Sequence, residues 1–427
     1  MYQPAVEIIH HESISSSAEY RNKQSLINHE KFCQKWASEL AKISYPISDQ
    51  DLYLARDLSS NQKQILIIED MVPPYDKHAG GLCIFQYIKL LLDMKLKIVF
   101  LPHNFEPTQP YTMDLQQMGV EVIYGEFDFN SWFRQNGSRF DYCWLCRPDI
   151  SINYIDIIRF NSDAKILYFT HDLHFLREYR RYELESKEWH LQESNRLKKI
   201  ETEIFRRADI VLTPSHDEEI LIKEISPDTK VLTVPLFIYE RSNLELFLDS
   251  SDYVCRNNIL FLGGYLHSPN IDAVLWFAKE VMPLIRLKLP YVEFHIAGSN
   301  VPDEIRELES PSVHVCGYVE NLSDLYQNFR VFVAPLRYGA GVKGKIISSL
   351  YYGVPVVATS IGNEGINLVN EDQALIGNTP QEFADLVCKI YLDTNLWVHM
   401  SRKGKEFINE NFSNQVAKKI ILEALED

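Results

Sequence analysis

Residues 331–359 decide the fold, and they read VFVAPLRYGAGVKGKIISSLYYGVPVVAT. The apolar run at 331–335 is typical of a buried strand, and a loop rich in glycine and basic residues follows it. A helical segment at 346–352 ends before Gly353, and a second buried-type strand follows at 354–359. Such a unit places loop N–H groups and the positive end of a helix dipole at the carboxyl edge of a parallel sheet. The stretch therefore predicts a ligand-binding edge in an α/β protein.

The loop inside that stretch carries cations suited to a polyanion. Arg337 can bond two phosphate oxygens through its planar fork, and Lys345 supplies a point charge, with Lys343 as a secondary cation. Gly339 and Gly341 leave backbone N–H groups free to form an anion nest. A charge pair on a solvated face is the alternative, which the buried-type strands on both sides disfavour. The pattern favours a nucleotide diphosphate.

The alternation of strands and helices extends over most of the chain. From Gln64 onward, short runs of Val, Ile, Leu and Phe alternate with helical runs, which indicates parallel sheets covered on both faces. A looser polar stretch at 239–258 reads as an interdomain linker, and the alternation then starts again. We predict an α/β protein with two Rossmann-like, doubly wound domains. The predicted divisions are a helical N-terminal extension at 1–60, a first domain at 61–245, a second at 246–400 and a C-terminal helix at 401–427.

The periodicity also predicts individual elements. Helices are expected within 25–43 of the extension and at 81–94, 153–160, 178–207, 271–289 and 401–425. Strands are expected at 65–69, 97–101, 121–124, 142–146, 165–170, 210–214, 231–235, 259–262, 292–297, 313–316, 331–334 and 354–359.

Composition narrows the class of protein. A chain of 427 residues is long for one core, and a net charge of −16 argues against general binding of nucleic acid. The 7 cysteines are scattered, which points to a reducing cytoplasm. Cys143 and Cys146 form a C-x-x-C, but they fall in a buried-type strand, which disfavours a metal or redox site. No apolar run approaches the roughly 20 residues that span a bilayer.

Two further constellations follow strands of the first domain. Gly80 and Gly81 come just after the first strand and open the first helix, where they would let a phosphate approach the backbone; turn geometry alone is the alternative. His171 and His174 follow the strand at 165–170, at the edge where ligands bind in open α/β sheets. Either histidine could contact a ligand there, and His174 could instead be a capping or packing residue.

The second domain offers two more candidates. His267 lies in the loop after its first strand and would point into a cleft between the domains, while Ser268 or Asn270 would cap the following helix. Glu364 lies in the loop after the strand at 354–359, where it would contact a ligand or, equally well, cap the next turn.

Together these motifs, with ILIIEDMVPPYDKHAGG at 65–81, resemble retaining GT-B glycosyltransferases of the large bacterial polysaccharide-synthesis family (glycosyltransferase family four-like). The resemblance covers about 64–425. It implies that two domains face a central cleft, that the last helix packs back toward the first domain, and that a sugar moves from a nucleotide-diphosphate sugar to a glycan hydroxyl. It further implies His171, Arg337 and Lys345 as catalytic residues.

The remaining roles also follow from the resemblance. Donor contacts would come from Gly80, Gly81, His267, Gly341, Lys343, Ser348 and Glu364. Neither a metal nor another cofactor is expected, because Arg337, Lys345 and the glycine amides would neutralise the leaving diphosphate. The partners implied are a nucleotide sugar and a glycan or glycolipid acceptor. The expected location is the cytoplasm, with the inner face of the membrane or a partner protein as a place of association.

The sequence departs from that family at one motif. Most relatives carry two glutamates separated by seven residues, the second of which holds the nucleotide ribose, but the matching positions here are Ala340 and Ser348. A serine can bond a hydroxyl without the charge assistance that roughly doubles such a bond. Two alternatives therefore stay open. One is a degenerate, non-catalytic subunit that binds another glycosyltransferase; the other is a GT-B sugar-nucleotide epimerase, for which Asp172 and Glu364 would be the carboxylates.

Overall fold

A computed structural model describes residues 18–38, 62–77, 79–240, 249–339 and 341–426. In the N-terminal extension it shows one helix, α1 (Ala18–Lys35). The predicted helix at 25–43 overlaps α1, and its last residues lie outside the described part, as do 1–17 and 39–60. The predicted linker is likewise described only up to residue 240 and from residue 249.

The described residues form two sheets, of seven and six strands, in which every paired strand is parallel. The first sheet has the order β3-β2-β1-β4-β5-β6-β7, and the second has the order β10-β9-β8-β11-β12-β13. The prediction of two doubly wound domains is confirmed. The strands are β1 (Gln64–Glu69), β2 (Lys97–Pro102), β3 (Glu121–Val122), β4 (Tyr142–Cys146), β5 (Lys165–Phe169), β6 (Ile210–Thr213), β7 (Val231–Thr233), β8 (Asn257–Leu262), β9 (Phe294–Ala297), β10 (Val313–Gly317), β11 (Phe329–Ala334), β12 (Val356–Ala358) and β13 (Ala374–Ile376).

Helices cover both faces of each sheet, which is why the central strands are apolar on both sides. All residues of β1 and β4 are buried. The helices after α1 are α2 (Ala79–Asp93), α3 (Tyr111–Gln117), α4 (Phe129–Asn136), α5 (Pro148–Asn161), α6 (His174–Glu185), α7 (Glu188–Arg207), α8 (His216–Ile225), α9 (Ser250–Cys255), α10 (Ser268–Trp276), α11 (Met282–Lys288), α12 (Asp303–Arg306), α13 (Leu322–Gln327), α14 (Gly344–Tyr351), α15 (Ser360–Asn363), α16 (Pro380–Leu392), α17 (Thr394–Asn411) and α18 (Asn414–Glu426).

Two predicted helices are interrupted within the two domains. The segment at 178–207 breaks between α6 and α7, where Ser186 adopts a left-handed conformation with φ 53°. The segment at 271–289 contains a π-helical turn, Phe277–Val281, between α10 and α11. Pro283 has no N–H for the carbonyl four residues earlier, which favours a wider turn there.

The C-terminal segment is two helices rather than one. The chain between α17 and α18 pairs with Tyr239, whose N–H donates to the Phe412 carbonyl at 2.9 Å and whose carbonyl accepts from Asn414 N–H at 3.1 Å. These bonds replace the helical ones at that point. α18 then reaches the first domain, where the hydroxyl of Tyr142 donates to the Leu425 carbonyl at 3.0 Å.

The two domains are joined by apolar and polar contacts. One buried apolar cluster contains residues of both, including Ile67, Phe237 and Ile346. The carboxyl edges of the two sheets face each other, because the loop after β11 meets the loop after β5. None of the helices in the described residues combines the length and apolar character needed to cross a membrane.

Candidate active site

The candidate site lies where the strand order reverses in each sheet. In the second sheet the reversal falls between β8 and β11, and in the first between β1 and β4. Loops after two such strands run in opposite directions and leave a crevice at the carboxyl edge, which is where open α/β sheets bind ligands. The loops at 263–267, 335–339 and 341–343 border the crevice of the second domain.

Lys345 is a half-buried cation of that crevice. Its ammonium donates to the amide oxygen of Asn270 and lies 4.4 Å from the ring centroid of Phe261. Burial, with a smaller contribution from the charge of Lys343, lowers the pKa of Lys345 to about 7. The hydrogen-bond partner is a neutral amide, so the charge is not cancelled by a carboxylate bonded to it. An arriving anion would be strongly attracted to this group.

A glycine makes room for the Lys345 side chain. A Cβ atom added to Gly263 would lie 3.1 Å from the Lys345 ammonium and 2.9 Å from the side chain of Asn270. Asn270 in turn donates to the Gly264 carbonyl at 2.7 Å. Asn270 therefore fixes both the loop and the lysine. The N-cap residue of α10 is His267, and its side chain makes no capping bond.

Lys343 is the second cation, and it is buried. Its ammonium donates to the Gly341 carbonyl at 2.5 Å, and burial lowers its pKa to about 8. Gly341 has φ 67°, and a Cβ there would lie 2.8 Å from the Cβ of Asp172 in the first domain. The glycine is required both by its left-handed backbone and by the contact between the domains.

His267 lies close enough to both domains to be affected by their charges. Burial lowers its pKa to about 4, with Lys345 and Arg177 acting in the same direction and Asp172 opposing them. The imidazole is therefore neutral at pH 7. The structure thus brings together four of the predicted residues, namely Gly341, Lys343, Lys345 and His267.

Arg337 is placed differently. Its guanidinium binds both carboxylate oxygens of Asp272 on α10, and 42% of the side chain is exposed. Arg337 lies in the same loop as the lysines, but the ion pair occupies the guanidinium N–H groups that were predicted to bind phosphate. A role in binding a diphosphate would require Arg337 to leave Asp272.

On the first domain, His171 is held by a buried carboxylate. Its Nε2 lies 3.1 Å from Oε2 of Glu69, the last residue of β1, and Glu69 also binds Arg147, which follows β4. Burial would raise the pKa of Glu69, but Arg147 and His171 outweigh it and keep that pKa below its usual range. A carboxylate only accepts, so Nε2 donates to Glu69, and in a neutral ring Nδ1 would then be the atom with a lone pair.

His171 and Arg147 also share an unusual backbone. Their φ angles are 58° and 63°, in the left-handed region. This region is unfavourable for residues other than glycine, and such residues concentrate at functional sites. The ion pair with Glu69 holds both residues at the carboxyl ends of their strands.

The loop after His171 rests on a set of buried acids. Asp172 binds Arg177 at 2.7 Å and His174 at 3.3 Å. Burial would raise its pKa, but the Arg177 guanidinium and the neighbouring His174 ring outweigh burial and lower the pKa overall. Burial lowers the pKa of His174 to about 4. His174 is therefore neutral at pH 7 and lies within the network of Asp172.

Two more buried acids fix the same loop by bonding its backbone. Glu218 accepts from Leu173 N–H at 3.1 Å, and burial, followed by Asp172, raises its pKa to about 7. Glu201 accepts from the N–H groups of His174 and Phe175, at the start of α6, and burial raises its pKa to about 8. The loop that presents His171 is therefore rigidly supported.

Glu364 bridges the domains. Arg180 of α6 binds both of its carboxylate oxygens and also donates to the Gly339 carbonyl at 2.7 Å. Nearby, Asp217 of α8 accepts from Gly365 N–H at 3.1 Å. These bonds connect the first domain to the two loops that follow β11 and β12.

Ser348 lies on α14 and is buried. Its hydroxyl lies 2.9 Å from the Tyr239 hydroxyl, and the Tyr239 ring stacks on Tyr351 with 4.3 Å between centroids. Burial raises the pKa of Tyr239. The other position of the expected glutamate pair, residue 340, lies outside the described residues.

Gly80 and Gly81 lie in the first turn of α2, directly after the loop that leaves β1. This is the switch-point edge of the first sheet, so their position is compatible with the predicted approach of a phosphate. That role stays a prediction.

Sequence reasoning missed Glu69, Arg147, Arg180 and Tyr239. For two of them a signal existed, because Glu69 ends an apolar strand and Arg147 immediately follows one. A charged residue at the carboxyl end of a parallel strand lies at the ligand edge. Arg180 and Tyr239 act through partners that are distant in sequence.

Comparison with known proteins places this geometry in a class. Three solved structures resemble the chain over 86% of its length: sucrose-phosphate synthase from Thermosynechococcus elongatus (15% identity, TM-score 0.64, 98% of that chain), HepE from Anabaena in complex with UDP and glucose (16%, 0.62, 100%) and a TarM variant from S. aureus in complex with fondaparinux, α-GlcNAc-glycerol and UDP (13%, 0.64, 100%). The chain has the GT-B fold, with two Rossmann-like domains facing each other.

The family assignment comes from the second domain. Residues 256–393 match the family model described as glycosyl transferases group 1. An uncharacterised protein from the cps region of Klebsiella pneumoniae is 25% identical over 173 residues. That match spans 37% of this chain and 43% of the curated relative.

Proposed function

We propose that this protein is a glycosyltransferase that moves a sugar from a nucleotide-diphosphate sugar to a hydroxyl of a glycan or glycolipid, in the synthesis of cell-surface polysaccharide or glycoconjugate. The observation that carries the proposal is the pair of cations, the buried Lys343 and the half-buried Lys345, at the switch-point edge of a glycosyl transferases group 1 domain. The UDP complexes of HepE and TarM and the cps-region relative support the substrate class.

The chemistry proposed for Lys345 is stabilisation of the leaving diphosphate. When the bond to the sugar breaks, negative charge grows on the phosphate oxygens, and a fixed cation in a dry site stabilises that charge. Lys345 would exchange the Asn270 amide oxygen for a phosphate oxygen, and Lys343 would add a second charge. These cations are proposed to do the work that a metal ion does in other transferases.

The sugar would lie between the domains. The Nδ1 atom of His171 is available as an acceptor, and the Glu69–Arg147 pair fixes its orientation. Glu364 would reach the sugar only if it exchanged Arg180 for sugar hydroxyls. We further propose retention at the transferred carbon, which rests on the resemblance of the motifs, and a cytoplasmic location at the inner face of the membrane, where a glycolipid acceptor would be met.

The test combines binding with turnover. Calorimetry with UDP, GDP and dTDP sugars should find one donor that binds, and mass spectrometry of the products should show its sugar on an acceptor. Lys345→Ala should lower turnover by about 100- to 1,000-fold, the typical cost of removing one group that stabilises developing negative charge. Lys288→Ala removes a surface lysine paired with Asp385 and should leave turnover unchanged. Near-normal turnover of Lys345→Ala would refute the assignment.

A second candidate function is a non-catalytic subunit that binds another glycosyltransferase. The observation that favours it is the bond between Ser348 and Tyr239, which occupies the hydroxyl expected to replace a ribose-binding carboxylate. Failure of every donor in the panel to bind would support this candidate. The epimerase alternative gains nothing from the structure, because Asp172 and Glu364 are each engaged by an arginine.

A further inference from the structure

A second cluster of ligating side chains lies away from the cleft, on the second sheet near β10, which ends the strand order. Glu293 directly precedes β9, His295 is the second residue of β9, and His314 is the second residue of β10. The parallel register places His295 beside His314, and their ring centroids are 4.9 Å apart. All three residues lie toward the amino ends of the strands, opposite the carboxyl edge that borders the crevice.

The potential ligand atoms of the cluster converge. Oε2 of Glu293 lies 3.1 Å from Nε2 of His295 and 3.5 Å from Nε2 of His314. One ligand atom from each residue can be chosen so that all lie within 4.8 Å of one another. The three side chains are between 20% and 37% exposed, so a hydrated cation can reach them.

The second nitrogen of each ring has its own neighbour. Nδ1 of His314 lies 3.2 Å from a carboxylate oxygen of Glu309, and Nδ1 of His295 lies 3.7 Å from the sulfur of Cys316. If both Nδ1 atoms carry the proton, both Nε2 lone pairs point toward the Glu293 carboxylate. Metal-binding histidines characteristically donate their other N–H to a carboxylate, as His314 does to Glu309.

Without a metal, the contact between Nε2 of His295 and the Glu293 carboxylate at 3.1 Å is a hydrogen bond in which the ring donates. With Nε2 deprotonated, the two rings and the carboxylate would be three acceptors close together, which repel one another unless a cation or donor lies among them. The Asn258 amide nitrogen provides part of this compensation, since it lies 3.0 Å from the Glu293 carboxylate and 3.3 Å from Nε2 of His295. The Asn258 amide is neutral, and its oxygen accepts from Glu293 N–H at 3.1 Å. A cation would satisfy all three acceptors at once.

We propose that Glu293, His295 and His314 bind a divalent metal ion of the zinc class. Two imidazoles and one carboxylate are the donors that zinc accepts, whereas magnesium and calcium prefer an all-oxygen set. Three protein ligands leave a fourth position for water. The ion would join β10 to β9 and so stabilise the edge of the second sheet. This site is independent of the proposed transfer reaction.

The test is calorimetric titration of the full chain, stripped of metal, with Zn²⁺ alone. We expect one site that is lost in Glu293→Gln and in His314→Ala. Glu309→Gln should keep the site but weaken it by about 10- to 100-fold, the usual effect of removing a carboxylate behind a metal-binding histidine. Cobalt titration adds a spectroscopic readout, because Co²⁺ in such a site absorbs visible light.

Two control variants separate this site from general binding by histidines. His399 lies on α17, outside the cluster, and binds Asp372 at 2.8 Å. His399→Ala should therefore leave the site intact. Cys316→Ser should also leave it intact, because the sulfur lies beside Nδ1 rather than Nε2. Zinc should raise the melting temperature of the unaltered chain and not that of Glu293→Gln. Equal zinc binding in Glu293→Gln, His314→Ala and the unaltered chain, or no binding in any of them, would show that the cluster is only a set of ion pairs.

Discussion

The two domains bring opposite charges to the cleft and stabilise them in different ways. The second domain contributes Lys343 and Lys345, whose ammonium groups are bonded to a carbonyl and an amide. The first domain contributes buried carboxylates, and Glu69 and Asp172 are bonded directly to arginines. Glu69 and Asp172 are therefore neutralised by arginines of their own domain, whereas neither lysine is bonded to a carboxylate in the part of the chain that the structure describes. This difference suggests that the first domain is a rigid support and that the second carries the charge an anionic donor would meet.

The largest expected effect comes from removing Glu69, the carboxylate that binds Arg147 and His171 in the first domain. Glu69→Ala leaves Arg147 and His171 without their carboxylate, and removing one partner of a buried ion pair costs about 3–5 kcal/mol. Arg147 keeps about a third of its side chain exposed, which puts the expected loss at the lower end. Chemical denaturation measures the free energy of unfolding. The surface variant Asp385→Ala, which loses only an exposed pair with Lys288, should be nearly as stable as the unaltered chain. Equal stability of the two variants would show that the Glu69 pair contributes nothing.

The next effect concerns the contact between the domains. Gly341→Ala places a methyl group against Asp172 and forces alanine into a left-handed backbone, a strain of about 1–2 kcal/mol. Gly119→Ala is the matched control, because Gly119 has φ 93° but no atom within 4 Å of the added methyl. Both variants should lose stability through the backbone. Only Gly341→Ala should also lose donor affinity, measured by calorimetry, and an equal loss in both would argue against a closed contact.

The lysine loop of the second domain and the ion pairs made by the first domain differ in how far the sequence predicts them. Gly341, Lys343 and Lys345 fall in one short loop, so local pattern was enough to select them. The Glu69–His171 pair joins residues 102 positions apart, and Arg180 and Glu364 are 184 apart. No local pattern specifies such a pair, because it depends on how strands order within a sheet and how the domains meet.

The fold was predicted more completely than its details. Long apolar strands such as β1 were evident, whereas β13 has only three residues and was not predicted. No glycine or proline in the sequence marks the break at Ser186. The break depends on the packing of α7 against α6. Arg337 looked like a phosphate ligand in sequence, and the structure pairs it with Asp272, which no spacing rule connects to it.

A third prediction uses pH to test the lysines. The pKa of Lys345 is lowered to about 7 and that of Lys343 to about 8, in both cases by burial. An anion binds the protonated form, so donor affinity should be highest below pH 7 and fall as the pH rises, by up to about tenfold per unit for each lysine. Calorimetry in buffers of different ionisation enthalpy should show proton uptake on binding near pH 8. Lys345→Arg keeps its charge and should flatten part of this dependence.

The same lysines affect stability with the opposite sign. Between about pH 7 and about pH 10 the unfolded chain holds protons on both lysines that the folded chain has released. Stability from these two groups therefore rises with pH over that range, while donor affinity falls. Parallel curves of stability and affinity against pH would contradict the assignment of the titration to buried lysines.

The smallest effect is expected where Tyr239, from the end of the first domain, meets Ser348 of the second. Tyr239→Phe and Ser348→Ala each remove one side of the same bond, and a hydrogen bond of this kind contributes about 0.5–1.5 kcal/mol. The double variant should cost less than the sum of the single variants, because the second change removes nothing further from that bond. If Ser348 instead binds the donor ribose, Tyr239→Phe should free its hydroxyl and raise donor affinity, while Ser348→Ala lowers it. Equal donor affinity in all three variants would leave the bond as a purely structural link between the domains.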